Sequence, residues 1–366
     1  MTETIVVTLD QLRRAHPGGI GTYARGLVSG LLELRASDEF DASLIGLAPA
    51  PPRRPDPLDE LGIDVATVST GVDLTTRLWR YVASGVSADA SVVHATSLAG
   101  PFRGGRRDAV HSVAVQDLLW RDHPELTTRR GARFHERRIA HAKSCADVRV
   151  IVTSRGVGER LVADGFDAER VFVVRLGVDR ELSADAAAQS RAALQRLGAS
   201  GVEPFAYTLA VGTVQPRKNI TRLASAHAEA RRRQPGIGPL LIAGARGWGE
   251  VDTAGATVLG EVDQRNLAGL IAGCRVMAYV PIAEGWGLPP IEALAAGRPV
   301  VASAVPSVEG NAEVFVVDPL DVDAIAAGLV AAGDTVDSDE ARSHRRASVS
   351  ELTWANSARD HLAAWR

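Results

Sequence analysis

The chain has 366 residues, of which 46% are hydrophobic and 23% are charged, and its formal net charge is −3. This length predicts about two or three domains, and the composition excludes a mostly disordered chain, a fibre or a disulfide-stapled miniprotein. The balanced charge gives no reason to expect nucleic acid as a partner. Cys145 and Cys274 lie too far apart for metal-ligand spacing, which favours a reducing cytosol. Because no run approaches the roughly 18 apolar residues of a membrane span and no signal peptide is evident, we expect a cytoplasmic protein.

Short β-branched runs alternate along the chain with amphipathic segments of helix length. Strands are predicted at residues 4–9, 42–47, 65–69, 91–95, 111–115, 148–153 and 171–174, and in the second half at 207–211, 240–243, 257–259, 276–280, 300–303 and 313–317. Helices are predicted at residues 22–34, 74–84, 128–146 and 155–164, and then at 220–233, 264–272, 290–296 and 321–332. Continuous apolar strands that alternate with helices predict α/β architecture with parallel sheets covered on both faces.

The domain boundaries are predicted from a change in composition. Residues 179–203 are rich in Ala, Ser and Gly and separate the two βα series. We therefore predict a domain at residues 1–180, a linker region at 181–205 and a second domain at 206–345. Two doubly wound domains would face a cleft, with ligands beyond the carboxyl ends of the strands.

The most informative segment is residues 284–297 (EGWGLPPIEALAAG), which follow a predicted strand. A strand, a glycine-containing loop and a helix N-terminus together bind anions and polyhydroxy groups. Glu284 would lie in the loop and Glu292 in the first helical turn, and a carboxylate can accept hydrogen bonds from two neighbouring hydroxyls. The alternative is that Glu292 only complements the helix dipole while Glu284 is solvated.

A second segment, residues 212–219 (GTVQPRKN), directly follows the predicted strand at 207–211. Two adjacent cations, Arg217 and Lys218, suit a diphosphate, and Lys218 is one of only two lysines in the chain. Asn219 is predicted to cap the following helix. A solvated basic turn is the alternative.

A third segment, residues 19–24 (GIGTYA), matches the G-x-G-x-x-A pattern of dinucleotide-binding proteins. About nine residues separate the strand from the first glycine, and the second strand lacks the acid that would bind a ribose, so this match is weak. The remaining alternatives are a glycine-rich loop that faces a phosphate or acceptor, and a purely structural turn.

Polar residues that close apolar strands are expected to line the cleft. His94, Gln116 and Asp117 are such residues, although each could instead cap its strand. No metal or nucleophile motif is found, and Asp321-Val-Asp323 is explained as a helix cap. Five arginines between Arg129 and Arg138 lie on a predicted helix. They form either a solvated face or a contact for an anionic acceptor or an anionic membrane surface.

These segments together resemble the retaining GT-B glycosyltransferases of glycosyltransferase family 4, the group 1 type. Residues 284–292 resemble the family's E-x7-E signature, and residues 212–219 resemble its G-T-x-x-P-R-K-N variant, which is common among mannosyl- and rhamnosyltransferases. Residues 259–262 resemble the turn that receives the nucleotide base. Residues 346–366 resemble the C-terminal helix that crosses back to the first domain. The resemblance therefore implies a GT-B fold with two Rossmann-like domains.

The resemblance also implies roles for individual residues. The first domain would bind a glycan, lipid-linked or small-molecule acceptor, and the second a nucleoside diphosphate sugar, with mannose or a deoxyhexose expected from the P-R-K-N variant. Arg217 and Lys218 would neutralise the diphosphate, Glu292 would bind the ribose and Glu284 the donor sugar. The further donor-binding positions are Gly19, Gly21, Thr213, Val262, Gly285, Trp286, Gly287 and Leu288. The catalytic residues would be Glu284, Arg217, Lys218 and Asp117.

The implied chemistry is transfer with retention, in which the leaving phosphate takes the proton of the acceptor. No metal and no other cofactor is then expected. Gln116-Asp117 stands where the family usually has His-Asp, so a histidine on the acceptor side is missing, and His94, Gln116 and Asp117 are the acceptor-side candidates. Two alternative functions are an NAD(P)-dependent oxidoreductase and a non-catalytic binding protein of the same fold.

Overall fold

The computed structural model describes residues 3–51, 55–178 and 185–366. The chain divides into two compact units: Met1–Gly177 together with Leu352–Arg366 form the first, and Val178–Glu351 form the second. In the described part of the chain, no helix combines the length and the apolar character needed to cross a membrane.

The first unit contains a seven-stranded parallel sheet in the order β3-β2-β1-β4-β5-β6-β7. Its strands are β1 (Glu3–Thr8), β2 (Ala42–Pro49), β3 (Asp64–Val68), β4 (Val92–Ala95), β5 (Val110–Val115), β6 (Val148–Val152) and β7 (Val171–Val173). Its helices are α1 (Gly18–Ala36), α2 (Val72–Leu78), α3 (Leu119–Asp122), α4 (Arg129–Ser144), α5 (Arg155–Ala163) and, at the end of the chain, α12 (Trp354–Trp365). Parallel strands of this kind are covered on both faces, which explains their continuous apolar runs.

The second unit contains a six-stranded parallel sheet in the order β10-β9-β8-β11-β12-β13. Its strands are β8 (Thr208–Val211), β9 (Leu240–Ala243), β10 (Ala256–Gly260), β11 (Val276–Tyr279), β12 (Val300–Ala302) and β13 (Val314–Val316). Its helices are α6 (Ala186–Arg196), α7 (Ile220–Arg233), α8 (Gln264–Gly273), α9 (Leu288–Ala295), α10 (Val322–Gly333) and α11 (Asp339–Ala347). The predicted parallel α/β architecture is confirmed in both units.

The C-terminal helix α12 packs tightly on α1. A Cβ atom on Gly26 would lie 2.1 Å from the ring of Trp354, and one on Gly30 would lie 2.1 Å from the backbone oxygen of the same residue. Two glycines one helical turn apart therefore let the helices approach more closely than side chains would allow. This contact explains why the last residues of the chain belong to the first unit.

A buried chain of hydrogen bonds also fixes α12. His361 Nδ1 must donate to the carbonyl oxygen of Ser357, 2.7 Å away, so its Nε2 accepts from the Tyr23 hydroxyl at 2.7 Å. Tyr23 then accepts from His94 Nε2 at 2.7 Å. His94 Nδ1 in turn accepts from the Ser112 hydroxyl at 2.8 Å. Burial lowers the pKa of both imidazoles, so both are neutral and each contributes one donor and one acceptor nitrogen to this chain.

The predicted linker region differs from the structure. Residues 181–184 lie outside the described residues, but helix α6 occupies most of the remainder and packs on α8. A Cβ on Gly273 would lie 2.1 Å from the Ser190 hydroxyl oxygen, which is itself 3.0 Å from the Tyr207 hydroxyl. The small residues that predicted a flexible linker therefore allow α6 and α8 to pack closely within the second unit.

Candidate functional site

Four side chains meet at the carboxyl ends of two neighbouring strands in the second unit. Arg217 and Lys218 lie in the turn after β8, Tyr279 ends β11, and Glu284 lies in the loop after β11. We call these four residues the cation–carboxylate cluster. Ligands of doubly wound sheets bind at this edge, so the position is that of a binding site.

One carboxylate oxygen organises the cation–carboxylate cluster. Glu284 Oε2 accepts from the Tyr279 hydroxyl at 2.6 Å, lies 2.8 Å from an Arg217 nitrogen, and also pairs with Lys218 Nζ. Lys218 Nζ additionally donates to the Tyr279 hydroxyl at 2.8 Å. Two cations and one anion leave the cluster with one net positive charge, which suits an anionic ligand.

The cluster is largely buried, and this determines its electrostatics. The side chains of Glu284 and Lys218 are each 13% exposed, and that of Arg217 is 19% exposed. Burial alone would raise the pKa of Glu284, but the charges of Lys218 and Arg217 and the hydrogen bonds outweigh it and lower the pKa to about 2. Burial, and then the charge of Glu284, raise the pKa of Tyr279 well above its usual range. Tyr279 therefore remains a neutral donor while Glu284 remains ionised.

Asn219 holds the turn after β8 against the end of β11. Its backbone adopts a left-handed conformation with φ of 58°, and its side-chain amide donates to the carbonyl oxygens of Val280 at 3.0 Å and Pro319 at 2.6 Å. Asn219 occupies the predicted N-cap position of α7, but its side chain makes no capping hydrogen bond, because the amide joins neighbouring loops instead. A further bond, from the Ile282 N–H to the Arg217 carbonyl at 3.0 Å, ties the same loops together.

The loop from Glu284 to helix α9 requires glycine at position 287. Gly287 has φ of 98°, and a Cβ there would lie 3.0 Å from Val305 and 3.1 Å from the Ser307 hydroxyl oxygen. Ser307 fixes this loop by donating its hydroxyl to the Gly287 carbonyl at 2.6 Å and its N–H to the Trp286 carbonyl at 3.0 Å. Gly285 and Leu288 flank Trp286 and Gly287. All four predicted positions therefore lie in the segment that leads from Glu284 to the first residue of α9.

Helix α9 begins at Leu288, two residues earlier than predicted. Glu292 therefore lies in its second turn, where the helix-dipole explanation is weaker than in the first. Its charge contributes to the raised pKa of Tyr279, which places Glu292 near the cluster. The N-terminus of α9 has neither a side-chain cap nor an acid in its first turn. Because Pro289 and Pro290 have no N–H, an anion at this end would be bound by the N–H groups of Leu288 and the preceding loop.

The other predicted donor-side residues of the second unit lie along the same sheet edge. Thr213 is half-buried just beyond β8, and Val262 is half-buried just beyond the edge strand β10. Between them, the Gly244 N–H donates to the Gly260 carbonyl at 2.8 Å, which closes the ends of β9 and β10 together. The structure thus aligns Val262, Thr213 and the cluster on one edge.

In the first unit, the predicted glycine loop is part of a helix. Helix α1 begins at Gly18, so Gly19 and Gly21 lie in its first turn rather than in a loop. A Cβ on Gly21 would lie 2.4 Å from Pro17, which gives this glycine a packing role. A Cβ on Gly19 would meet no atom within 4 Å.

The acceptor-side candidates have different positions. His94 is buried, and both its ring nitrogens are bonded within the unit, so neither nitrogen is left to bind an acceptor. Gln116 is half-buried at the end of β5, where its amide donates to the Thr96 carbonyl at 2.8 Å. Asp117 accepts from the Leu119 N–H at 3.1 Å, which fits the capping alternative.

The arginine-rich segment lies on helix α4, but one of its five arginines points inward. Arg138 is 2% exposed, donates to the carbonyl oxygens of Leu98 and Gly100, and stacks 4.0 Å from the centre of the Phe102 ring. The prediction of a continuous basic face therefore fails at Arg138. The other four arginines of the segment are Arg129, Arg130, Arg133 and Arg137, and all are exposed.

Sequence reasoning missed two residues of this site. Tyr279 ends a strand, so the strand-end rule that selected His94 could have selected it. Ser307 lies in a short 3-10 helix, Pro306–Val308, and no local pattern assigned it a role, because its hydroxyl bonds a carbonyl twenty residues away in sequence. In the described residues, no group of three or more His, Cys, Asp and Glu side chains is arranged to hold a metal ion.

Two protein-family models match this chain. The model described as "Glycosyl transferases group 1" matches residues 206–333, and the one described as "Glycosyl transferase 4-like domain" matches residues 18–177. The chain is also 30% identical to O-antigen chain mannosyltransferase B of Escherichia coli over 264 residues, which are 66% of each protein. The alignment thus spans slightly less than two thirds of that relative.

Solved structures share the fold over nearly the whole chain. Anabaena HepE in complex with UDP and glucose has a TM-score of 0.67 at 16% identity, over 99% of this chain and 98% of that one. A glycosyltransferase from Rickettsia africae has a TM-score of 0.68 at 14% identity, over 100% and 98%. Sucrose-phosphate synthase from Thermosynechococcus elongatus has a TM-score of 0.68 at 19% identity, over 100% and 98%.

The two parallel sheets and these structural neighbours define a GT-B fold, which confirms the predicted fold class. The cation–carboxylate cluster lies at the ligand-binding edge of the second sheet. The chain belongs to the group 1 glycosyltransferases of family 4, as the two family models together show.

Proposed function

We propose that this chain is a retaining hexosyltransferase that transfers mannose from GDP-mannose to a glycan acceptor. The observation that carries the proposal is the cation–carboxylate cluster, in which Arg217 and Lys218 converge on Glu284 beside the uncapped N-terminus of α9. The choice of mannose is supported by the Escherichia coli relative, which is a mannosyltransferase. A nucleotide-linked deoxyhexose is the second donor to test.

In this proposal, different residues of the second unit bind different parts of the nucleotide-sugar donor. Lys218 and Arg217 bind the diphosphate together with backbone N–H groups of residues 285–288. Glu292 binds the ribose hydroxyls, and Glu284 binds hydroxyls of the transferred sugar. The turn that contains Val262 receives the base.

The proposed reaction needs no protein nucleophile. The bond between the anomeric carbon and the diphosphate oxygen breaks, and the acceptor oxygen forms its bond to that carbon on the same face. The proton of the acceptor hydroxyl passes to the departing diphosphate, so atoms and charges balance. Arg217 and Lys218 stabilise the negative charge that grows on the diphosphate in the transition state. Retention and independence of a metal are parts of this proposal.

The first experiment measures thermal unfolding with GDP, UDP, dTDP and ADP. A ligand present at 100 times its dissociation constant stabilises by about 2.7 kcal/mol, so we expect a clear shift with GDP. The second experiment follows transfer from GDP-mannose in the presence of EDTA, and NMR of the product determines the anomeric configuration. Activity that EDTA abolishes and Mg²⁺ restores would refute metal independence, and an inverted product would refute retention.

We further propose that the chain contacts an anionic membrane on the cytoplasmic side through helix α4. Among the described residues, Arg129, Arg130, Arg133 and Arg137 form no ion pair with an acid. Basic residues near an anionic bilayer contribute about 1 kcal/mol each, so four could hold the protein at the surface. We expect sedimentation with phosphatidylglycerol vesicles but not with phosphatidylcholine vesicles, and loss of binding when all four are changed to Gln. Equal sedimentation of the two proteins would refute this contact.

A further inference from the structure

Asp10 lies at the point of the first sheet where ligands of doubly wound folds bind. It is two residues beyond the end of β1, at the start of a short 3-10 helix, Asp10–Arg13. In the strand order, β2 lies on one side of β1 and β4 on the other, so successive connections leave in opposite directions. The crevice beyond the carboxyl ends of β1 and β4 is therefore the topological switch point of this sheet.

The carboxylate of Asp10 is buried and has no hydrogen-bond partner on another residue. The residue is 0% exposed, and neither Oδ1 nor Oδ2 accepts from any other described residue. A buried polar group is normally bonded, because an unsatisfied one costs free energy. Burial raises the pKa of Asp10 to about 6, with the charge of Arg14 acting in the opposite direction. Among the described residues, Asp10 is the only acid with both carboxylate oxygens buried in this way.

The neighbouring polar groups at this sheet edge have hydrogen-bond partners, and in this respect Asp10 differs from them. The Thr8 hydroxyl lies 3.0 Å from that of Thr96 and accepts the Thr96 N–H at 2.9 Å. Gln116 donates to the Thr96 carbonyl, and its own carbonyl accepts from Thr153 at 2.9 Å. These polar groups at the ends of β1, β4 and β5 are thus bonded within the unit. The carboxylate beside them lacks only a donor.

We propose that Asp10 binds a hydroxyl group of the glycosyl acceptor, an inference that rests on the proposed function. An ionised carboxylate is acceptor-only, and a sugar hydroxyl is a neutral donor that satisfies it. Arg14 already supplies a positive charge nearby, so a neutral donor completes the site without a second cation.

Because Asp10 is 0% exposed, the proposal includes an outward movement of residues 14–17, which connect the 3-10 helix to α1. Residues 15 and 16 of this connection and residues 18 and 19 at the start of α1 are exposed. Cβ atoms on Gly18 and Gly19 would meet nothing within 4 Å. Open space therefore lies beside the C-terminal end of this connection.

The test compares Asp10→Asn with Asp360→Asn, a control that removes an exposed carboxylate from α12 in the same unit. The donor is GDP-mannose and the acceptor probe is octyl α-D-mannoside. We expect Asp10→Asn to raise the KM for the mannoside at least tenfold while the Kd for GDP-mannose changes less than twofold. Asp360→Asn should change neither value. A role confined to folding would alter unfolding but not this split between acceptor and donor.

A second measurement uses the wild-type protein and so does not depend on the folding of a variant. Hydrogen exchange of residues 10–19 should slow when octyl α-D-mannoside is added. An unchanged KM for the mannoside in folded Asp10→Asn would overturn the inference and leave the proposed function intact. If wild-type protein transfers no mannose from GDP-mannose, the proposed function fails instead. Unchanged exchange at residues 10–19 would then overturn the role of Asp10 as well.

Discussion

Replacing Glu284 with Gln should affect the diphosphate and the sugar of the donor in opposite ways. In the structure, its carboxylate pairs with Arg217 and Lys218, the two cations that the proposal assigns to the diphosphate. Glu284 therefore competes with the diphosphate for Arg217 and Lys218. We expect Glu284→Gln to bind free GDP more tightly than the wild type does. The same change should slow mannose transfer, because the amide lacks the charge that strengthens hydrogen bonds to the sugar hydroxyls.

The magnitude follows from the geometry of the cluster. The pKa of Glu284 is held at about 2 instead of 4.5, which corresponds to about 3 kcal/mol in favour of the ionised carboxylate. A phosphate charge about 5 Å from the carboxylate would be repelled by roughly 3 kcal/mol at an effective dielectric constant of 20, and by about 1 kcal/mol in water. Removing that repulsion should tighten GDP binding by roughly 5- to 150-fold. Losing one charged hydrogen bond to the sugar costs about 1.5–3 kcal/mol, or at least about tenfold in turnover.

Isothermal titration of wild type, Glu284→Gln and Glu292→Gln with GDP and with GDP-mannose makes the comparison. Glu292→Gln is the matched control, because it removes a carboxylate assigned to the ribose and should weaken both ligands. If Glu284→Gln binds free GDP tenfold more weakly than the wild type, the carboxylate positions the cations instead of competing for them. The reasoning would then be wrong.

Three further outcomes are expected. Lys218→Ala should weaken GDP binding by on the order of 10–150-fold. Lys143→Ala should not weaken it, because the Lys143 ammonium contacts a backbone carbonyl of the first unit. Equal effects of the two changes on the Kd for GDP would refute the assignment of Lys218 to the diphosphate. Gly30→Ala should lower the free energy of unfolding by at least about 2 kcal/mol, because its Cβ would lie 2.1 Å from the backbone of α12. Gly156→Ala, which meets no atom within 4 Å, should leave stability unchanged or raise it by up to about 1 kcal/mol in urea denaturation. Burial lowers the pKa of His361 from 6.5 to about 4, so the stability that its neutral form contributes is present above pH 6.5 and lost as the pH falls towards 4. Between pH 6.5 and pH 4, the free energy of unfolding of His361→Gln should therefore fall by up to about 3 kcal/mol less than that of the wild type. Parallel profiles of unfolding free energy against pH for the two proteins would contradict this.

Much of the local structure follows from the sequence alone. Helix α7 and strand β9 have the bounds predicted from their apolar pattern, and the Pro-Pro start and Gly297 exit of α9 are where turn and cap preferences put them. These features depend on residues a few positions apart, so a single sequence carries the necessary information. The sequence also placed Lys218 and Glu284 at strand ends of one parallel sheet, and therefore on one edge.

The tertiary structure decided which side chains meet and which are hidden. Glu284 contacts Lys218 across 66 positions of sequence, so the sequence could assign each a ligand but not show that they neutralise each other. His94 was predicted to line the cleft or cap its strand, and Arg138 to lie on an exposed basic face. Both lie in the interior instead, bonded to groups from other elements. The segment that forms helix α6 was predicted to be a linker, because its small residues are typical of a flexible connection. In the structure, the same residues allow α6 to pack closely against α8. Local propensity acts within a few residues, whereas burial and pairing depend on the whole fold, and this is why these features could not be read from the sequence.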